Sequence, residues 1–417
     1  MKHYRAYKTE LDPNYAQVRK LRQHAGAARW AFNFALQQKQ AAYASYVAAG
    51  KPDLKGKRAT PSAIDLHREI VKLKHTPERA WLNEVSKCAP QEALRNADTA
   101  YANFFRRCKQ GAKKKGFPRK KTRKHGLGSF TLRGAIHAFE CSIQLPNLGV
   151  LRLKEANYLP SAGIKIRCAT VSEKSGRWYV SLQTGEDLTY PLPPSHVLGV
   201  DVGIHQLATT SDGEVFENPR ATRRYAARLC LLQQSVSRKK KGSVNRRKAQ
   251  QRVAKLHHRI CCIRRDATHK ATTAISKQAS VVVVESLNVA GMVKNRKLAK
   301  AVSDANLAEF HRQLEYKVKW RGGTLVKADP FYPSSKTCSQ CSAVKVDLSL
   351  SERVYSCAAC GLQIDRDLNA ALNLKGLAAS SAVSACRPGS AGRSRKTSVK
   401  LLVGQEPRSF DSVGIEG

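Results

Sequence analysis

The sequence predicts a multidomain protein in which an α-helical module, a β-rich module and an α/β layer follow one another, with a small metal-binding module near the end. Three observations support this. A length of 417 residues allows two to four domains. The pattern of apolar residues changes twice, from helical spacing to short β-rich segments after about residue 125, and to alternating strands and helices after Val197. Two C-x2-C pairs, Cys338/Cys341 and Cys357/Cys360, stand apart from eight scattered cysteines. With 42% hydrophobic residues and 16 prolines, most of the chain can pack. The charge then restricts function: 74 Lys+Arg against 31 Asp+Glu leave a net +43, which calls for a polyanion, and nucleic acid is the commonest. Small neutral metabolites are poor substrates for such a chain.

Taken in order, residues 2–8 read as a short strand. Asn14 to Val47 is Ala- and Gln-rich, with Val18, Leu21, Ala25, Ala28, Phe32 and Leu36 at helical spacing, and reads as one long helix or two in series. Lys51 to Ala59 is a turn region. Helical pattern returns at Pro61 to Lys74 and at Pro90 to Lys109, where Leu94, Ala97, Tyr101, Phe104 and Phe105 form a core-facing stripe. Lys113 to Lys124, KKKGFPRKKTRK, carries eight basic residues in twelve and no acid: Lys113, Lys114, Lys115, Arg119, Lys120, Lys121, Arg123 and Lys124. Short strands are expected at Ser129 to Arg133, Cys141 to Leu145, Val150 to Leu153, Ile164 to Val171 and Trp178 to Leu182, as a small barrel or sheet. Pro191, Pro193 and Pro194 mark a boundary. A strand, Gly turn and second strand follow from Val197; Ala221 to Lys277 is a long basic helical tract broken near Gly242. Ser280 to Glu285 is a buried strand, Asp304 to Trp320 a helix, Thr324 to Ala328 a strand, and Arg366 to Leu374 a last helix. Beyond Gly376 the Ser/Gly/Arg-rich tail should be poorly ordered.

The start of the chain lacks an apolar signal region, and the longest clean apolar run, Val281 to Val284, is far below the roughly 20 residues of a membrane span. A cytoplasmic protein is expected, without a membrane partner and with its cysteines reduced.

Four cysteines have metal-ligand spacing. Fifteen residues separate the two C-x2-C pairs, and each pair can turn both sulfurs toward one tetrahedral Zn²⁺. Such a closed four-thiolate site is structural. Gly361 suits the second knuckle, whereas Ser342 follows the first pair.

Three carboxylates are candidates for catalysis. Asp201 lies inside the apolar strand V197-L-G-V-D-V, where an unpaired charge is costly. Glu285 ends V281-V-V-V-E. In D365-R-D-L-N-A-A-L-N, Asp365 suits the N-cap, while Asp367 shares a helical face with Ala370, Ala371 and Leu374 and is expected to point inward. Carboxylates from two strand ends and one helix could hold two hard cations, Mg²⁺ by preference, for phosphodiester hydrolysis. In the tract Ser237 to Lys270, thirteen Lys/Arg face a single Asp266; Val253, Leu256, Ile260 and Ile263 form one apolar face, with Arg252, Lys255, Arg259, Arg264 and Arg265 elsewhere around the helix to meet phosphates.

The segments G199-V-D-V-G-I-H-Q-L-A-T-T-S-D-G213, V281-V-V-V-E-S-L-N-V-A-G-M292, Y332-P-S-S-K-T-C-S-Q-C341 and C357-A-A-C-G-L-Q-I-D-R-D-L-N-A-A-L-N373 resemble, in order and placement, the signatures of the TnpB (OrfB) family, transposon-encoded relatives of type V CRISPR nucleases. The resemblance implies a ribonuclease H-like, RuvC-type nuclease domain (196–333 and 361–377) interrupted by a zinc ribbon (334–360). Before it would stand a β-barrel wedge domain (1–10 and 125–195) holding a helical recognition insertion with a basic linker (11–124); the tail (378–417), expected to be disordered from its composition, departs from the family's motifs. It implies cleavage of double-stranded DNA guided by a transposon-derived RNA, beside a short motif that the protein reads, by a monomer or homodimer. Asp201, Glu285 and Asp367 match the catalytic acids, and Cys338, Cys341, Cys357 and Cys360 the zinc ligands. Two other readings stay open: a transposase that itself cuts and joins element ends, and a non-catalytic, zinc-containing nucleic-acid-binding regulator.

Overall fold

The computed structural model describes residues 2–51, 59–112, 114–123, 126, 128–160, 164–187, 190–349 and 351–385. The chain divides into two compact units, residues 1–188 and 189–417. The division falls ahead of the proline cluster because that cluster already belongs to the second unit: Pro194 O accepts from Ser280 N–H at 3.0 Å, and His196 O from Val281 N–H at 3.3 Å.

In the first unit, β1 (Lys2–Asp12) leads into α1 (Tyr15–Ala48), α2 (Ala63–Leu73), a 3-10 turn at Pro77–Glu84, and α3 (Cys88–Lys109). The strands β2 (Ser129–Leu132), β3 (His137–Ala138), β4 (Ser142–Leu145), β5 (Gly149–Leu153), β6 (Lys165–Lys174) and β7 (Arg177–Asp187) follow. The single long helix α1 starts at a reciprocal cap: Asn14 Oδ1 accepts from Gln17 N–H at 2.9 Å and Gln17 Oε1 from Asn14 N–H at 3.0 Å. Strand β1 runs longer than residues 2–8 because it lies mid-sheet, paired antiparallel with β7 from Lys2↔Asp187 to Leu11↔Trp178 and with β5 at Leu11↔Leu153. All seven strands are antiparallel, in the order β2-β6-β7-β1-β5-β4-β3; among the described residues no rung joins β2 to β3, so the barrel expected from sequence has an open hydrogen-bonded order. Leu21, Phe32 and Leu36 of α1 pack with Leu94 of α3 and with Phe130, Val171 and Val180 of the sheet.

The α3 stripe ends earlier than its spacing suggests. Leu94 and Ala97 are buried, but Phe105 is exposed, and Phe104 meets Phe117 edge-on at 5.2 Å. Phe117 belongs to the basic segment, so the aromatic end of α3 holds that segment against the helices.

The second unit comprises β8 (Val197–Asp201), β9 (Gln206–Thr210), β10 (Val215–Glu217), α4 (Ala221–Arg224), α5 (Ala226–Ser237), α6 (Val244–Gln278), β11 (Val281–Val284) and α7 (Val289–Met292). It continues with α8 (Ala299–Ala305), α9 (Leu307–Trp320), β12 (Thr324–Lys327), β13 (Val354–Ser356), β14 (Gln363–Asp365) and α10 (Arg366–Ala385). Its five-stranded sheet has the order β10-β9-β8-β11-β12, with β8, β11 and β12 parallel and β9 and β10 antiparallel. The helix expected over Asp304 to Trp320 is interrupted at Asn306, whose φ of 60° separates α8 from α9. The last helix runs past Leu374 to Ala385, further than the tail composition suggests; residues 386–417 lie outside the described residues. No helix among the described residues is long and apolar enough to cross a membrane.

Candidate functional site

Parallel pairing sets the first two acids. Val200 of β8 is the partner of Val284 of β11, so Asp201 and Glu285, each the next residue, leave adjacent strands at the same C-terminal edge. That edge is where open α/β sheets commonly bind ligands. The third acid depends on a glycine. A Cβ at Gly199 would lie 1.9 Å from Ala371 O and 2.6 Å from Lys375 N, so β8 and α10 are in backbone contact that only glycine allows. Asp367 precedes Ala371 by one helical turn, about 6 Å along α10, and Asp201 follows Gly199 by two strand positions, about 6.6 Å. The close approach thus carries Asp367 toward Asp201. The expected division of roles holds: Asp365 Oδ1 accepts from Asp367 N–H at 2.9 Å and Leu368 N–H at 3.1 Å as a cap, while Asp367 turns inward with Arg366 Nε 3.7 Å from its Oδ1.

Two of the acids act on the third. Burial first, then the charges of Glu285 and Asp367, hold the Asp201 carboxyl well above the usual carboxylate range; Arg366 and the Val202 N–H pull the other way. A divalent cation suits this donor set, since it supplies positive charge to hard oxygen ligands that otherwise repel one another.

The four cysteines form a second cluster. Their Sγ atoms lie within 4.8 Å of one another, with Cys338–Cys360 and Cys341–Cys357 each at 3.6 Å. Four ligands at the usual Zn–S length of about 2.3 Å would be about 3.8 Å apart. Two matching knuckles bring them there. Cys338 N–H donates to Ala343 O at 2.9 Å and Ser342 N–H to Cys338 O at 3.0 Å; Cys357 N–H donates to Leu362 O at 2.9 Å and Gly361 N–H to Cys357 O at 3.0 Å. Ser342 adopts φ 62° where Gly361 has 73°, so the knuckle forms without glycine, at a cost of about 1 kcal/mol. The Cys360 N–H, against burial, draws the Cys357 thiol down to about 6. Despite the Leu362 N–H, burial and the neighbouring thiols push Cys360 up to about 12. The cluster accepts one thiolate readily and resists the next, so four thiolates need a cation among them. Tyr355, Leu348, Leu362 and Ile364 pack around Cys338 and Cys357.

Helix α10 joins the two clusters. Buried Asn369 accepts from Ser339 N–H at 3.0 Å and donates to Thr337 O at 2.7 Å. Asn373 donates to Ser334 O at 2.8 Å and Thr337 O at 2.6 Å, and Ser334 Oγ donates to Glu285 Oε1. Sequence reasoning gave Ser334, Asn369 and Asn373 no role. The available signal was a pair of carboxamides at i, i+4 on a helix whose other inward residues are apolar, since buried amides require partners.

The basic candidates divide. On α6, Arg252, Lys255 and Arg259 are exposed, while Leu256 and Ile260 are buried against Tyr225, Leu229 and Leu232. Arg264 instead braces the fold, donating to Ser303 O at 2.7 Å and lying 3.8 Å from Asp304. Lys114, Lys115, Arg119, Lys120, Lys121 and Arg123 are exposed; Lys113 and Lys124 lie outside the described residues. Asn33 fixes this segment, donating to Lys121 O at 2.9 Å and accepting from Lys121 N–H at 2.7 Å. It is a docked strap, where the sequence suggested a linker.

Fold and site together define a class: an α/β protein with a four-cysteine module of zinc-site geometry and three carboxylates at the edge of its sheet. Within that class the chain belongs to the TnpB (OrfB) family. The family model OrfB_IS605, described as a probable transposase, matches residues 169–296, and the Cas12f1-like TNB domain matches residues 308–374. The helix-turn-helix domain model of the same family matches residues 1–46, which here form β1 and most of the unbroken α1. A Streptomyces pristinaespiralis protein named as a candidate RNA-guided DNA endonuclease is 37% identical, covering 97% of this chain and 96% of the relative. Escherichia coli K12 InsQ, with the same description, is 34% identical over 93% of this chain and 94% of its own. The Cas12f1 chain from a complex with guide RNA and target DNA shares the fold, with a TM-score of 0.50 at 14% identity, over 85% of this chain and 81% of that one.

Proposed function

We propose that the chain is a transposon-encoded, RNA-guided, divalent-metal-dependent DNA endonuclease that cuts beside a short motif read by the protein. The second unit would be a ribonuclease H-like, RuvC-type nuclease core with a zinc-ribbon insertion, and the first a wedge domain with a helical recognition insertion. One observation carries the reading: Asp201, Glu285 and Asp367 converge at one edge of the sheet although 84 and 82 residues separate them in turn. A β9–β10 hairpin beside three parallel strands supports the ribonuclease H-like assignment, and the relatives' names support guidance by RNA.

Mg²⁺ held by these acids would activate water and neutralise the leaving oxygen of a scissile phosphate. Asp201 and Glu285 would provide ligands from adjacent strands, and Asp367 one from a helix set by backbone contact. The amino-terminal end of α10 adds partial positive charge where these anions gather. The zinc ribbon is structural. Pairing with the guide would select the target, while the basic tracts bind phosphates without reading sequence.

The test is plasmid cleavage by protein co-produced with transposon-derived RNA. Cutting should follow the guide sequence and require Mg²⁺, and Glu285→Gln should reduce it at least 10³-fold while RNA-dependent DNA binding stays within about twofold. Strand joining at element ends without RNA would replace this reading with the transposase named by the family model. Binding without cutting or joining under any metal would leave a regulator.

A further inference from the structure

Glu285 lies just beyond a strand end, and its side chain has three rotatable bonds to restrain before both oxygens occupy fixed positions. The restraint comes from the segment ahead of the zinc knuckles. Ser334 is 2% exposed, and its Oγ donates to Glu285 Oε1, leaving the other carboxylate oxygen for a cation. Ser334 is itself fixed on two sides: its N–H donates to Tyr332 O at 2.9 Å, and its carbonyl accepts from Asn373 Nδ2 at 2.8 Å. The Tyr332 hydroxyl closes the loop by donating to Asn373 O at 3.4 Å. Asn373 stands on α10, the helix that carries Asp367 in its first turn.

We propose that Ser334, locked by Asn373, is a positioning residue that sets the Glu285 carboxylate for metal binding, so that one helix governs two of the three acids. This rests on reading Glu285 as a metal ligand. Carboxylate ligands usually need such an outer hydrogen-bond donor, and losing it typically costs 10- to 100-fold in metal affinity or activity. The hydroxyl is the only part of serine that can serve here, so Ser334→Ala removes the donor with little change of volume and Ser334→Thr keeps it.

The measurement is Mn²⁺ titration of the full-length protein followed by electron paramagnetic resonance, paired with cleavage as a function of Mg²⁺ concentration. Ser334→Ala should weaken Mn²⁺ binding roughly 10- to 100-fold and raise the half-saturating Mg²⁺ by a similar factor, with zinc content and melting temperature unchanged. Ser334→Thr should return Mn²⁺ affinity to within about threefold of the parent, and Asn373→Ala should shift it in the same direction as Ser334→Ala. Parental Mn²⁺ affinity and Mg²⁺ dependence in Ser334→Ala would overturn the positioning role, as would a parallel fall in zinc content, which would mark a structural defect. Glu285→Gln separates the two levels. If that variant binds Mn²⁺ and cuts normally, the site reading has failed; if it is defective while Ser334→Ala is normal, only the positioning role has.

Discussion

The thiol cluster and the carboxylate cluster are two solutions to one problem, the gathering of like ionisable groups, and they differ in how the chain assembles them. Each cysteine pair is separated by two residues and closed by its own knuckle, and the two pairs share one small hairpin module. The acids come from two strands and a helix and meet only because β8 pairs with β11 and Gly199 admits α10. The first arrangement is closed and suits a resident structural ion. In the proposed reading, the second would leave part of a Mg²⁺ ligand shell to water or substrate, as catalytic ions require.

Variants that test the contrast rank by their effect on folding. Cys357→Ser should be the most damaging. It should release zinc, measured by metal analysis, and with it much of the roughly 10 kcal/mol that a structural zinc contributes to its module, seen as lower soluble yield and protease sensitivity around residues 338–360. Full zinc stoichiometry in that variant would break the contrast. Gly199→Ala should cost about 3 kcal/mol or more in a denaturant melt, because the new methyl meets backbone that cannot rotate away, and should disable cleavage through misplacement of Asp367.

Asp201→Asn has the opposite sign. A carboxyl whose folded pKa is raised binds its proton more tightly when folded, so the contribution of Asp201 to metal-free stability is fully present at low pH and is lost as pH rises from about 4 through the raised pKa. Above that range the asparagine variant should melt a few degrees higher than the parent without metal, show a smaller Mg²⁺-induced gain, and fail to cut. A lower melting temperature would show that the acids are not mutually strained. Joint replacement of Arg252, Lys255 and Arg259 by Gln should leave the melting temperature within about a degree, since all three are exposed. It should also flatten the plot of log affinity against log salt by about 0.9 for each duplex phosphate that these cations neutralise. An unchanged slope would remove this face of α6 from the nucleic-acid surface.

Much of this was legible in the chain, for physical reasons that vary from residue to residue. The cysteine set could be read because ligand spacing is local. Asp365 and Asp367 could be sorted into cap and inward acid because helical periodicity fixes their directions. The end of the α3 stripe escapes its spacing: Phe104 and Phe105 are apolar at the right positions, but Phe104 packs on Phe117 of the basic segment and Phe105 lies exposed beside Tyr101 and Phe104. Arg264 could not be told from Arg259 by charge; only the position of Ser303 and Asp304 distinguishes a brace from an exposed cation.

The sequence by itself determined the order of modules, the four cysteines and the three acids as candidate metal ligands and the call for a polyanion partner, because composition, periodicity and short spacings act within a few residues. Tertiary structure alone decided that Asp201, Glu285 and Asp367 share one edge, that Gly199 is the close-approach point, and that Ser334, held by Asn373, reaches Glu285. Strand register and helix packing bring together residues as far apart in sequence as Gly199 and Lys375, and no local rule encodes which ones meet.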